Sequence, residues 1–102
     1  MLASYERALS LTRAMLEAAR KGDWDNLVRL EAERSQLIDR IRQDDPDPAR
    51  DRASAPQKRR IMTEMLQADE QVQLLTQDWM HELREVLGSI STEQRLTRTY
   101  GS

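Results

Sequence analysis

Apolar residues recur along this chain at alternating spacings of three and four, and the recurrence pauses wherever Gly or Pro stands: Gly22, Pro46, Pro48, Pro56, Gly88 and Gly101. That spacing is the signature of amphipathic helices, and the pauses mark their ends. Leu2, Tyr5, Leu9, Thr12, Leu16 and Ala19, widened by Ala8 and Met15, predict a first helix over about residues 3–20. Gly22 can adopt the left-handed conformation that ends it, and Asp23 can cap the next. The second helix, about 24–42, carries Leu27, Leu30, Arg34, Leu37 and Ile41 on one stripe, flanked by Val28 and Ile38. So short a connection makes the pair an antiparallel hairpin.

Residues 44–55 are polar and twice interrupted by Pro, which reads as a loop, and Pro56 suits the first turn of a third helix. That helix, about 56–87, runs through Met62, Met65, Asp69, Val72, Thr76, Trp79, Leu83, Val86 and Ile90, with Ile61, Leu66, Ala68, Leu75 and Leu87 beside them. At 1.5 Å per residue it would span about 48 Å, against about 27–30 Å for each of the first two. Its broad apolar stripe therefore exceeds what the hairpin can cover. After Gly88 and Ser89, the run Ser91-Thr92-Glu93-Gln94 offers a cap, and Leu96 and Tyr100 lie four apart on a short fourth helix over about 91–100. A helix of about ten residues needs docking to persist. The expected fold is all-α and occupies a single domain, 1–102: an antiparallel three-helix bundle with a long third helix and a short C-terminal fourth helix folding back.

Composition narrows the chemistry. The 102 residues are 38% hydrophobic and 33% charged, with no Phe and only two Trp and two Tyr, so Leu, Ile, Val, Met and Ala must build the core. Absent cysteine removes disulfides and thiolate metal sites. No apolar run approaches the roughly 18–20 residues that cross a bilayer, and the N-terminus lacks the pattern of a signal peptide, so a cytoplasmic protein is expected. The net charge is −2, and the only dense basic cluster, Arg50, Arg52, Lys58, Arg59 and Arg60, lies in and just after the loop. This argues against nucleic acid as a direct ligand, and the run Lys58 to Arg60 reads as a solvated face. His81 and Glu85 have the i, i+4 spacing of a helical metal pair but lack the third and fourth ligands of a site. No phosphate loop, nucleophile elbow or Cys/His pair is present, so neither catalysis nor a cofactor is expected.

Three features have both a structural and a functional reading. Arg34 and Asp69 fall on apolar faces and are read first as paired with each other. Trp24, at the start of the second helix, reads as capping the core against the first or third helix. Met62 and Met65, flexible and polarisable, together with Leu66, are candidates for an exposed groove that accepts apolar partners.

The stretch Leu11 to Asp25, in which a helix ends in Gly22-Asp23-Trp24-Asp25, resembles the first hairpin of the FliT family of flagellar export chaperones. Asp69-Glu70-Gln71, Leu83 with Leu87-Gly88-Ser89, and Tyr100-Gly101 match that family in the same order. The resemblance implies a cytoplasmic chaperone that holds the C-terminal segment of the filament cap protein FliD and delivers it to the type III export apparatus. In some bacteria such proteins also restrain the master regulator FlhDC. Carried over, the partner-binding surface is Met65, Val72, Leu75 and Trp79 with Leu37 and Ile41, joined by Met62 and Leu66, and Leu96 and Tyr100 form an autoinhibitory cover. The chain departs from the family pattern in ending at Ser102, where longer relatives continue beyond Tyr-Gly. The rival reading is a homodimeric coiled-coil adaptor with no export role, in which the surplus stripe of the third helix pairs with its copy.

Overall fold

The computed structural model describes the backbone of residues 1–101 and the side chains as far as Val86. Among these residues all regular structure is helical, with α1 over Leu2–Lys21, α2 over Trp24–Asp44 and α3 over Ala55–Gly101. Gly22 closes α1 with φ of 70° and ψ of 22°. The Asp23 amide reaches back to the Ala18 carbonyl at 2.8 Å and the Gly22 amide to Ala19 at 3.1 Å, which satisfies carbonyls that the helix end leaves free. Asp23 then caps α2, its carboxylate accepting from the Asn26 amide at 3.3 Å.

α1 is the central element. Both α2 and α3 pack on it, while no Cα of α2 comes within 8 Å of one in α3 among the described residues. This explains why α1 buries a wider arc than its leading stripe predicts: Leu11 and Ala18 are as deeply buried as Tyr5, Ala8 and Met15. Small residues at Ala8, Ala18, Ala19 and Ala68 let the backbones approach. The main core joins Leu11, Met15, Leu16, Leu27, Leu30, Ala68 and Val72, and a smaller cluster of Tyr5, Leu9 and Ile61 closes the end near the loop. α3 runs parallel to α1, since Arg13–Glu64 and Arg20–Gln71 keep a constant offset of 51 residues.

Two expectations change. α3 does not stop near residue 87: it continues without a break through Gly88 to Gly101, so the separate fourth helix over 91–100 is not seen. Gly88 has helical backbone, and a single interior glycine weakens a helix by only about 1 kcal/mol, too little by itself to end one. Where the Leu96 and Tyr100 side chains point lies outside the described residues. Second, Lys58 is not solvated but only 3% exposed. Its ammonium meets the Asp45 carboxylate at 2.8 Å and stands 5.5 Å from the centre of the Tyr5 ring, while its stem lies on the buried stripe that Ile61, Met65, Ala68 and Val72 continue.

Candidate partner-binding groove

Since α2 and α3 flank α1 without touching each other's backbone, a groove runs between them with α1 as its floor. Side chains bridge it at three levels. Trp24 stacks on Trp79 at one end, with ring centroids 4.9 Å apart and planes tilted by 36°. Arg34 meets Asp69 in the middle, at 2.6 Å, and Asp45 meets Lys58 at the other end. Equal steps along α2 and back along α3 separate these pairs, so the two helices are antiparallel and in register. The predicted pairing of Arg34 with Asp69 and the predicted core role of Trp24 are thus what the structure has.

The central pair divides the groove into two cavities. The larger, about 550 Å³, has Tyr5 and Ala8 as its floor, Ile38 and Ile41 on one wall and Met62, Met65 and Leu66 on the other, with Pro46 and Pro48 of the loop closing its end. The smaller, about 360 Å³, lies over Met15 between Trp24, Val28 and Glu31 of α2 and Val72, Thr76 and Trp79 of α3. Of the residues expected to bind a partner, Ile41, Met62, Met65 and Leu66 line the first cavity, and Val72 and Trp79 line the second. Leu37 and Leu75 line neither and instead pack against the main core. Sequence reasoning missed the floor, Tyr5, Ala8 and Met15, because α1 shows two buried faces and periodicity does not say which of them faces a gap. Leu66, 67% exposed, and Met62, 38% exposed, leave apolar surface open to solvent on the α3 wall.

The polar groups of the groove are organised. Arg34 Nη1 donates both to Asp69 Oδ1 and to Thr12 Oγ1 at 3.0 Å, and the Thr12 hydroxyl donates to the Ala8 carbonyl at 2.8 Å. At the loop end the Asp45 carboxylate accepts from Lys58 and from the Tyr5 hydroxyl at 2.9 Å. Lys58 and Tyr5, helped by the charge of the N-terminus, hold Asp45 below its ordinary carboxylate value. Burial, and secondarily the bond to Asp45 and its charge, pushes Tyr5 up to about 12. No group of three or more His, Cys, Asp or Glu suited to a metal exists among the described residues, and His81 lies exposed beside Glu85 at 3.1 Å.

The profile described as "Flagellar protein FliT" matches residues 2–102. The chain belongs to the FliT family. Curated relatives agree: the Flagellar protein FliT of Citrobacter koseri is 30% identical over 95 residues, covering 93% of this chain and 77% of that protein. That of Photorhabdus laumondii subsp. laumondii is 26% identical over 101 residues, covering 99% and 81%. No solved structure matches the chain. The resemblance noted in the sequence is therefore a family relationship over nearly the full length.

Proposed function

We propose that this chain is a cytoplasmic export chaperone that holds the C-terminal segment of the flagellar filament cap protein, FliD, in the groove between α2 and α3. The observation that carries this reading is the open apolar groove itself, floored by α1 and rimmed by Met62 and Leu66. An amphipathic helix laid there would take its apolar anchors into both cavities, the helix-in-groove mode of recognition. Binding would hide the cargo's apolar face and prevent premature assembly until delivery to the type III export apparatus. Restraint of FlhDC, as in some members, belongs to the same reading. Leu96 and Tyr100 would act as a removable cover in a second state, in which α3 breaks at Gly88 and the C-terminal segment turns back over the groove.

Calorimetric titration with a peptide of the cap protein's C-terminal segment tests this. Leu66→Asp, at a site already exposed, should leave the helical spectrum unchanged and weaken binding by at least about tenfold, the loss typical of a contact near an interface centre. Full affinity in Leu66→Asp and in Met62→Asp would remove the groove from consideration. Deleting residues 91–102 should tighten binding if that segment competes for the groove. A homodimeric adaptor is the second reading, favoured by Leu74 and Val86, which stand 62% and 55% exposed on α3; sedimentation at low concentration separates the two.

A further inference from the structure

Among the described residues, the charges that line the groove are paired with two exceptions. Arg34 is tied to Asp69 and Asp45 to Lys58, whereas the side chains of Glu31, in the smaller cavity, and Arg42, in the larger, form neither an ion pair nor a hydrogen bond. Both are exposed. They stand eleven residues apart on α2, close to three whole turns, so they share one face of the helix at a separation of roughly 16 Å. The groove thus has a free acid toward the hairpin and a free base toward the loop. Its two ends differ in topology as well. The chain leaves α2 at Asp44 and enters α3 at Ala55, so the loop crosses from one wall to the other, and its Pro46 and Pro48 line the end of the larger cavity. At the hairpin end no backbone crosses between the walls: α2 begins there from α1, the Trp24–Trp79 stack bridges the gap with side chains, and α3 continues to Gly101. A segment longer than the groove can therefore run on past the hairpin but not past the loop.

We propose that the groove takes a chain terminus in one direction, with the free C-terminal carboxylate of the partner beside Arg42 in the larger cavity and the rest of the segment leaving past Glu31 at the hairpin end. This rests on the reading that the groove holds the cap protein's C-terminal segment, and it adds the polarity of that segment and the anchor of its last residue. The closed end admits a terminus, and the charge chooses which. An N-terminal ammonium would meet Arg42, while Asp45 and Asp69, the acids of that cavity, already hold Lys58 and Arg34. In a helical segment the last carbonyls and the negative end of the dipole fall at Arg42, and the positive end points toward Glu31. That direction is parallel to α2 and antiparallel to both α1 and α3, so the dipoles of the floor and of the opposite wall favour it. Because Arg42 is exposed, its pairing with a carboxylate adds only a few-fold to affinity and sets direction more than strength.

The test uses a synthetic peptide of the cap protein's C-terminal segment, made as the free acid and as the C-terminal amide, with two readouts. In titrations at low salt the intact chain should bind the amide about threefold more weakly than the acid, and the difference should shrink as salt is raised. Against Arg42→Gln, a change at an exposed and unpaired side chain that leaves the fold alone, the two forms should bind alike. Direction is read by energy transfer, since the chain's only tryptophans, Trp24 and Trp79, both stand at the hairpin end. An acceptor dye placed about twenty residues before the peptide's end should quench them strongly, and one on the side chain of its last residue weakly, because the two ends of the groove are about 30 Å apart. The opposite order of quenching overturns the proposal and leaves the groove reading standing. So does equal binding of acid and amide, or a difference that survives in Arg42→Gln. Failure of the intact chain to bind either form of the peptide overturns both.

Discussion

Lys58 shows how a single residue can be misread from a run of charge. It opens the basic triplet Lys58-Arg59-Arg60, yet it also stands three residues before Ile61 and seven before Met65, in step with Ala68 and Val72. The helical stripe outweighs the run: the aliphatic stem is buried with the stripe, and only the ammonium needs a partner. Asp45, thirteen residues earlier and beyond a loop, supplies that partner and also accepts from the hydroxyl of Tyr5. No local pattern in the sequence announces this meeting, whereas Arg34 and Asp69 could be paired in advance because both interrupt apolar stripes. The loop-end cluster has a pH signature. Asp45 titrates below its ordinary value, so its contribution is present in full at neutral pH and is lost as the pH falls through the range near 3.8 and below. Tyr5 is raised from 10.0 to about 12, so the stability of its neutral form is complete below pH 10 and fades between pH 10 and about 12. Urea midpoints measured across pH should therefore show that Asp45→Asn flattens the acid limb and Tyr5→Phe flattens the alkaline one. An alkaline limb unchanged in Tyr5→Phe would mean that the hydroxyl is not the group responsible.

At the scale of the element, two glycines separate what a sequence says from what a helix does. Gly22 is legible as a stop because everything around it agrees: φ is 70°, its own amide and that of Asp23 find carbonyls of the last turn, and Asp23 is ready to begin α2. Gly88 has none of this. No Pro follows it, its φ is not positive, and no capping turn forms, so α3 passes through. Glycine alone is a weak terminator. The same substitution should consequently have opposite signs at the two sites. Gly22→Ala forces a side chain into the left-handed region and should cost about 1–2 kcal/mol, roughly 5–10 °C in melting temperature. Gly88→Ala meets nothing within 4 Å of the added carbon and should strengthen the helix locally by about 1 kcal/mol, seen as slower amide exchange over residues 84–92. Because a turned-back cover would need the chain to break there, Gly88→Ala should also tighten binding of the cap-protein peptide. Unchanged or weaker binding in this variant would count against a hinge at that position.

The whole molecule is governed by the length of α3. Its 47 residues make a rod of about 70 Å at 1.5 Å per residue, which matches the 71 Å long axis of the molecule, with cross-dimensions of 23 and 19 Å. The offset of 51 residues between α1 and α3 places Lys21 beside Val72, so α3 passes the top of the hairpin soon after Trp79 and projects beyond it. The radius of gyration of 19.9 Å is accordingly far above the roughly 13 Å of a compact chain of this length. The sequence pointed to this excess through the long stripe of α3, and it marked the α3 wall of the groove; it could not show that α2 and α3 stand apart, since that depends on how two buried faces of α1 are shared. Solution scattering weighs the extended state against the covered one. If α3 stays continuous, the monomer should give a radius of gyration near 20 Å and a maximum dimension near 70 Å, and removal of residues 91–102 should shorten it by about 16 Å, the length of eleven residues of helix. If the segment instead turns back at Gly88, the intact chain should already measure only about 50 Å, the length of residues 55–87, and the truncation should hardly change it. Gly88→Ala should move a mixture of the two toward the longer form, so the scattering curve and the peptide affinity must shift together if one hinge controls both.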